Sequence, residues 1–242
     1  SCEIQVLRSS GSWSLGLKEH EESIQQAYLK LIETSEHFIY IENQFFVTSC
    51  FIDGTEIKNR IGDALVDRII RAHREGKTWK AIILIPLVPG FESQVDQVDG
   101  SSVRVVMQCE YMSISRGSSS LFAKLRKAGI DPDDYIQFFS LRKWGSVGPD
   151  RTLVTEQLYI HAKLMIADDR AAIIGSANIN ERSMRGSRDS ELATIIRDTD
   201  TIDSTMNGMP YKVGKFVHSL RLRLMREHLG VAVDLIDIVE RR

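Results

Sequence analysis

Helical and extended patterns alternate in the first third of the chain, and this alternation restricts the fold more than any other feature of the sequence. Over residues 19–35 apolar side chains recur every three or four positions, which is typical of an amphipathic helix. The apolar run at residues 37–41 predicts a buried strand. A second helix is predicted over residues 61–75, and a second buried strand over residues 81–85. This order predicts an α/β (α+β) fold with a mixed β-sheet flanked by helices.

Shorter patterns predict further elements along the chain. The first seven residues indicate a strand, residues 120–128 a helix and residues 135–139 another strand. Gly and Pro residues predict loops over residues 88–100 and 143–151. Residues 200–242 are predicted to be a helical C-terminal extension of the same domain. Its Lys and Arg residues are interpreted as a solvated face rather than as a lipid contact.

The overall composition excludes several classes of protein. Among the 242 residues, 31 Lys and Arg stand against 33 Asp and Glu, which gives a formal net charge of -2 and no global attraction for nucleic acid or anionic membranes. The three cysteines contain no CxxC pair, so neither a disulfide framework nor a zinc site is supported. The longest apolar run, residues 81–88, is far shorter than the roughly 20 residues of a membrane span. An anionic ligand therefore has to be bound by a local site.

Two apolar runs flank the residues Asp168, Asp169 and Arg170, and they predict a β-hairpin with these residues at its turn. His161 and Lys163 lie in the first run at positions i and i+2, and such positions of a strand point to one face. Lys supplies charge and hydrogen bonds to a phosphate, while His can act as a nucleophile or a proton donor. An HxK pair alone is better explained by packing than by chemistry, so the surrounding spacing has to decide.

Small and amide side chains close the second run, and they are suited to holding phosphoryl oxygens. They are Gly175, Ser176 and Asn178. The two runs together resemble the HxKxxxxD and GSxN motifs of the phospholipase D superfamily, with His161, Lys163 and Asp168 in the first motif. Asp189 and Glu191 resemble the acidic residues with which that superfamily orients its catalytic His. This combined pattern is far more specific than the HxK pair.

Two further segments resemble the eukaryotic, lipid-hydrolysing branch of the superfamily. Residues 40–46 contain the sequence IENQFF, and residues 85–92 resemble the stretch that follows it. Animal members carry a glycine-rich run after this stretch, which this chain lacks, so we expect a fungal or other non-animal member. The resemblance is to the second, C-terminal catalytic half. Glu42, Asn43 and Gln44 are expected either to satisfy buried polar groups or to support the site.

The resemblance implies a reaction in which two HxK motifs face one pocket and a phosphohistidine forms. His161 is then expected to act as general acid and afterwards as general base. Lys163 and Asn178 are expected to stabilise charge on the phosphoryl oxygens. Asp168 belongs to the catalytic motif, but its odd spacing from His161 turns it away from that face and favours a structural role. The implied reaction converts phosphatidylcholine to phosphatidic acid and choline, with transphosphatidylation as a variant.

The chain contains one HxK motif, because no other histidine is followed by Lys two positions later. These histidines are His20, His37, His73, His218 and His228. A strand-like start without an initiator Met favours a chain whose first catalytic half is absent, and we expect the second half alone to be inactive. A homodimeric one-motif nuclease or cardiolipin hydrolase and a catalytically silent interaction domain are the alternatives. Tyrosyl-DNA phosphodiesterases lack the motif Asp, so Asp168 disfavours them.

The resemblance also implies partners and a location. The partners are the first catalytic half, a phospholipid membrane surface and small GTPases, with phosphoinositides as activators. The chemistry is expected to need no metal or other cofactor, and no nucleic-acid partner is expected. The location implied is cytoplasmic, peripheral on intracellular membranes.

Overall fold

An eight-stranded mixed β-sheet forms the centre of the fold. The computed structural model describes residues 1–52, 54–90 and 101–231. Its strands are β1 (Cys2–Ser10), β2 (Glu21–Glu22), β3 (Phe38–Asn43), β4 (Phe51–Ile52), β5 (Thr55–Glu56), β6 (Lys80–Leu84), β7 (Ile136–Phe139), β8 (Leu141–Val147), β9 (Thr152–Leu158), β10 (Lys163–Ala167), β11 (Ala171–Gly175), β12 (Glu191–Asp198), β13 (Thr201–Met206) and β14 (Met209–Gly214). The central sheet has the order β2-β1-β12-β11-β10-β3-β6-β7. The pairs β3–β6 and β6–β7 are parallel and the other pairs are antiparallel.

Helices lie on both sides of this sheet. They are α1 (Ser12–Leu15), α2 (Ser23–Thr34), α3 (Ile61–Arg74), α4 (Ser101–Ile114), α5 (Leu121–Lys127), α6 (Glu181–Met184) and α7 (Lys215–His228), with a short 3-10 helix at Pro132–Asp134. Three separate two-stranded sheets, β4–β5, β8–β9 and β13–β14, are not hydrogen-bonded to the central one. No helix in the described part of the chain is both long and apolar enough to span a bilayer.

The core has two layers because alternate residues of the central strands face opposite sides of the sheet. In β3, Ile39 and Ile41 pack in the larger cluster together with α2, α3 and α5. Tyr40 points the other way, into a smaller cluster that includes Val217 and the partly buried Leu220 of α7. A sheet covered on both faces is the arrangement predicted from the alternation of helices and strands.

Most of the predicted elements are confirmed to within a few residues. The two early helices correspond to α2 and α3, and the strands between and after them to β3 and β6. The later helix and strand correspond to α5 and β7, and the chain opens with β1. The two apolar runs form β10 and β11, which pair as an antiparallel hairpin.

Two predicted boundaries are wrong. The loop predicted at residues 143–151 is largely strand β8, since Gly145 pairs within the strand and only Gly148 and Pro149 fall in the turn of an exposed hairpin. The C-terminal extension is not helical from residue 200, because β13 and β14 precede α7. Of the loop predicted at residues 88–100, residues 91–100 lie outside the described part of the chain.

The turn between β10 and β11 connects three parts of the molecule. Asp168 and Asp169 both have φ of 52°, and Asp tolerates this left-handed region better than most residues. The carboxylate of Asp168 accepts hydrogen bonds from the backbone N–H groups of Glu36, His37 and Phe38 at 2.6 to 2.8 Å. It therefore fixes the segment between α2 and β3 against the start of the hairpin.

The neighbouring carboxylate, that of Asp169, points to α7 instead. It is fully buried, and it accepts hydrogen bonds from both Nε and Nη2 of Arg221 and contacts His218 Nδ1, each at 2.6 Å. A buried carboxylate needs such partners, because an unpaired buried charge is strongly unfavourable. The first half of α7 is therefore fixed to the same turn.

Candidate active site

The predicted site residues converge where β10 begins and β3 ends. Lys163 is the first residue of β10 and lies opposite Asn43, the last residue of β3. His161 lies two residues earlier, outside any strand, so the prediction that it lies on the strand itself is wrong. Residues 159–162 carry the chain from the β8–β9 hairpin into the central sheet, which is why the strand pairing begins only at Lys163.

A hydrogen-bond chain links the Lys163 ammonium with the residues beside His161. Lys163 Nζ donates to Gln44 Oε1 at 2.9 Å and to the backbone carbonyl of His161 at 2.8 Å. Gln44 Nε2 in turn donates to the Tyr159 hydroxyl at 2.7 Å. The Tyr159 ring stacks on the His161 ring with 6.2 Å between centroids and 20° between planes. Gln44 therefore belongs to the site, where it orients the ammonium.

His161 itself is exposed. Within residues 1–52, 54–90 and 101–231, neither of its ring nitrogens has a hydrogen-bond partner. An exposed imidazole held by stacking is free to exchange a proton with a ligand.

Burial lowers the pKa of the Lys163 ammonium, and the nearby carboxylate of Glu191 opposes this effect. A partly desolvated cation interacts more strongly with an anion than a fully hydrated one does, because the local dielectric constant is lower. The position is therefore suited to binding a phosphoryl oxygen.

The GSxN segment packs against the start of β12. A side chain at Gly175 would collide with Ala193 and with the carbonyl of Leu192, so glycine is required there by close packing. Ser176 Oγ donates to Glu191, and the other oxygen of Glu191 accepts from Ser183 Oγ at 2.6 Å. Gly175, Ser176 and Glu191 thus shape the segment that carries Asn178.

Asn178 lies beside the Lys163 end of the sheet. The Asn43 side chain binds the backbone on either side of Asn178. It accepts a hydrogen bond from Ile179 N at 3.1 Å and donates one to the Ala177 carbonyl at 3.4 Å. Asn178 Oδ1 is buried, and no described residue donates a hydrogen bond to it. A buried acceptor without a donor is unfavourable, so this amide is poised for a ligand or water.

Two predicted residues lie away from this cluster. Asp168 lies at the opposite end of β10, where three backbone N–H groups occupy its carboxylate. Asp189 forms a two-oxygen ion pair with Arg182, which lowers the pKa of the Asp189 carboxyl. Neither Asp189 nor Glu191 contacts His161 in this structure.

Glu42 lines a cavity of about 570 Å³ that also contains His161. Its carboxylate accepts one hydrogen bond from the Tyr40 hydroxyl and contacts His228 Nε2 at 2.7 Å. Sequence reasoning missed Tyr159 and His228. The position of Tyr159 beside His161 was an available signal, whereas His228 is 186 residues from Glu42 and no local pattern indicates their contact.

The described part of the chain contains no group of three or more His, Cys, Asp or Glu side chains arranged to hold a metal ion.

Fold and site together define an α/β protein with an imidazole and an ammonium at the end of the sheet where β10 begins. The sequence model described as Phospholipase D matches residues 13–240, and the chain therefore belongs to the phospholipase D family. The family predicted from the motifs is thus confirmed.

Curated relatives agree with this assignment. The chain is 65% identical over its whole length to Phospholipase D1 of Saccharomyces cerevisiae and covers 14% of that protein. It is 60% identical over 98% of its length to Phospholipase D1 of Schizosaccharomyces pombe, covering 17% of it, and 46% identical over 96% to human Phospholipase D1, covering 21%. The chain therefore spans less than a quarter of each of these three relatives.

Solved structures of low sequence identity also resemble the chain. The phospholipase D family member Nuc from Salmonella typhimurium gives a TM-score of 0.44 at 17% identity over 95% of both chains. NucT from Helicobacter pylori gives 0.48 at 12% identity, over 95% of this chain and 97% of the other.

Proposed function

We propose that this chain is the second catalytic half of a phospholipase D that hydrolyses phosphatidylcholine to phosphatidic acid and choline, and transfers the phosphatidyl group to other alcohols. The observation that carries the proposal is the placement of His161 and the Lys163 ammonium at one sheet edge, bridged by Gln44 and Tyr159. Identity of 60% or more to two fungal relatives named Phospholipase D1 supports the same substrate class.

The proposed reaction gives complementary tasks to these residues. In the first step a histidine of the other half attacks phosphorus, and the P–O bond to the alcohol breaks. His161 donates its proton to the departing alkoxide, which leaves as the alcohol. In the second step His161 takes a proton from water, whose oxygen bonds to phosphorus while the phosphohistidine bond breaks. A second alcohol in place of water gives transphosphatidylation.

Charge on the phosphoryl oxygens is stabilised by two groups of this chain. Lys163 supplies an ammonium whose partial burial strengthens its attraction for an anion. Asn178 supplies an amide whose buried oxygen has no described donor and which is available to the phosphoryl group or the attacking water. Asp168 contributes by fixing the hairpin rather than by contact with substrate.

A single HxK motif supplies one of the two histidines that this reaction uses. The proposed partner is the first catalytic half of the same enzyme. The enzyme is also proposed to bind, from the cytoplasm, to the surface of intracellular phospholipid membranes. Phosphoinositide activation and control by small GTPases complete the proposal, and no metal is assigned to the chemistry. The formal net charge of -2 disfavours a nucleic-acid substrate, since such sites depend on positive charge.

Co-expression tests this assignment. The chain alone is expected to release no choline from phosphatidylcholine vesicles, and co-expression with the first catalytic half is expected to restore release. His161→Asn in the pair is expected to abolish release, with Tyr159→Phe as a milder control that keeps the ring but removes the hydroxyl. Full activity of the chain alone would support a homodimer, and full activity of the His161→Asn pair would refute the role of His161.

A further inference from the structure

A second histidine lies at the wall of the cavity that contains His161. His228 is the last residue of α7, and its Nε2 lies 2.7 Å from Glu42 Oε1. Glu42 Oε1 also accepts the hydrogen bond from the Tyr40 hydroxyl. Both Glu42 and His228 line the cavity, together with His161 and residues of the β8–β9 hairpin.

The contact of Glu42 with His228 is one that the fold cannot easily lose. Only 5% of the Glu42 surface is exposed, and a buried carboxylate depends on its hydrogen-bond donors. Without His228, Tyr40 would be the only remaining donor to this carboxylate among the described residues. Removing one partner of a buried pair is strongly unfavourable, because the other charge stays behind.

Helix α7 is thus held at two separate places. Its first half is fixed by Asp169, which contacts His218 and Arg221. Its last turn is fixed by Glu42. The residues of α7 that line the His161 cavity are Leu224, Glu227 and His228, all of them close to the second attachment. The position of this cavity wall therefore depends on the Glu42–His228 contact more than on the Asp169 contacts.

We propose that the Glu42–His228 pair is a positioning device that holds the last turn of α7 against the alcohol group of the substrate. The inference rests on the proposed function in one respect, which is that His161 exchanges a proton with the oxygen of that alcohol. The alcohol group then has to lie beside the His161 ring. The cavity beside this ring is bounded by the last turn of α7, so this turn contacts the alcohol group.

The test uses the full-length enzyme and compares matched histidine variants of one helix. His228→Leu removes the donor to Glu42, and His218→Leu removes a donor to Asp169, which is also a buried carboxylate but lies away from the cavity. His228→Gln keeps a side-chain N–H for Glu42. Choline release is measured over a range of phosphatidylcholine concentrations to obtain kcat and KM separately.

We expect His228→Leu to raise KM by about 10-fold, with kcat changed less, because small displacements of binding groups have large effects on substrate positioning. His228→Gln is expected to restore most of the lost affinity. His218→Leu is expected to lower thermal stability without changing KM. Equal KM values for the two Leu variants, or no rescue by Gln, would overturn the proposal.

Hydrogen exchange supplies a readout that does not depend on activity. In His228→Leu the amides of the last turn of α7 are expected to lose protection, while those of its first turn keep it. Unchanged exchange in the last turn overturns the proposal whatever the kinetics. If the wild-type enzyme releases no choline, the proposed function and the substrate contact both fail, while the exchange result still decides whether the pair holds the helix.

Discussion

Replacing Asp168 should damage the fold rather than the chemistry. Its carboxylate accepts three backbone hydrogen bonds, two on Oδ1 and one on Oδ2, and the residue is buried with a positive φ. Hydrogen bonds to charged groups contribute about 1.5 to 3 kcal/mol each, so Asp168→Ala loses about 4 kcal/mol or more of unfolding free energy. Asp168→Asn keeps the oxygen that accepts two bonds and tolerates the backbone conformation, so its expected loss is about 2 kcal/mol.

Urea unfolding of the purified variants measures these losses, and His161→Asn is the matched control. His161 is exposed and makes no hydrogen bond from its ring to any described residue, so its replacement should change the stability of the chain by less than about 0.5 kcal/mol. The same replacement should abolish choline release by the pair formed with the first catalytic half. Replacing Asp168 should therefore lower the free energy of unfolding, whereas replacing His161 should leave it nearly unchanged. An Asp168→Asn variant with wild-type stability, whose pair with the first catalytic half releases no choline, would refute the structural role of Asp168.

Two further predictions concern pH. Burial raises the pKa of the Glu110 carboxyl to about 8, so the neutral form is favoured in the folded state. The neutral carboxyl contributes fully to the free energy of unfolding below its pKa in the unfolded chain, and this contribution is lost as the pH rises through about 8. Glu110→Gln should therefore be more stable than wild type at pH 9 by about 2 to 4 kcal/mol in urea unfolding, and no gain would contradict the burial of a charge. The Glu191 carboxylate raises the pKa of the Lys163 ammonium against the effect of burial. Glu191→Gln should thus move the alkaline limb of the pH–activity profile to lower pH, with the exposed Glu19→Gln as a control that leaves it unchanged.

The elements that periodicity predicts well are those whose local pattern decides their structure. Helices α2 and α3 have apolar residues on one face, and strands β3 and β6 are short apolar runs buried on both faces. The sequence does not predict the hairpin β8–β9, because its strands are largely exposed and show neither an apolar run nor a regular alternation. Gly and Pro residues in and next to β8 also favour a loop. Each strand of this hairpin pairs with the other strand and buries little of its own side chains, so neither strand is indicated by its own pattern.

The candidate site shows the same division between local and distant information. The spacing of His161, Lys163 and Asn178 identified the residues, because the motif lies within one stretch of sequence. The roles of Gln44 and His228 could not be obtained in this way, since each depends on a contact between segments more than a hundred residues apart. His161 lies outside the strand because the chain passes there between two sheets, which no local pattern records.

The order of the strands also governs how the chain can fold as it is synthesised. Of the strands in this sheet β1 is made before the others, yet it pairs along most of its length with β12, where Cys2 lies opposite Asp198. At about 5 to 20 residues per second, β1 has to wait about 10 to 40 seconds before that partner exists. During this interval its short pairing with β2 is the only one available in the described sheet, so an open edge is exposed to other nascent chains. Among the strands of this sheet, β1 is thus the first to be synthesised and among the last to be fully paired.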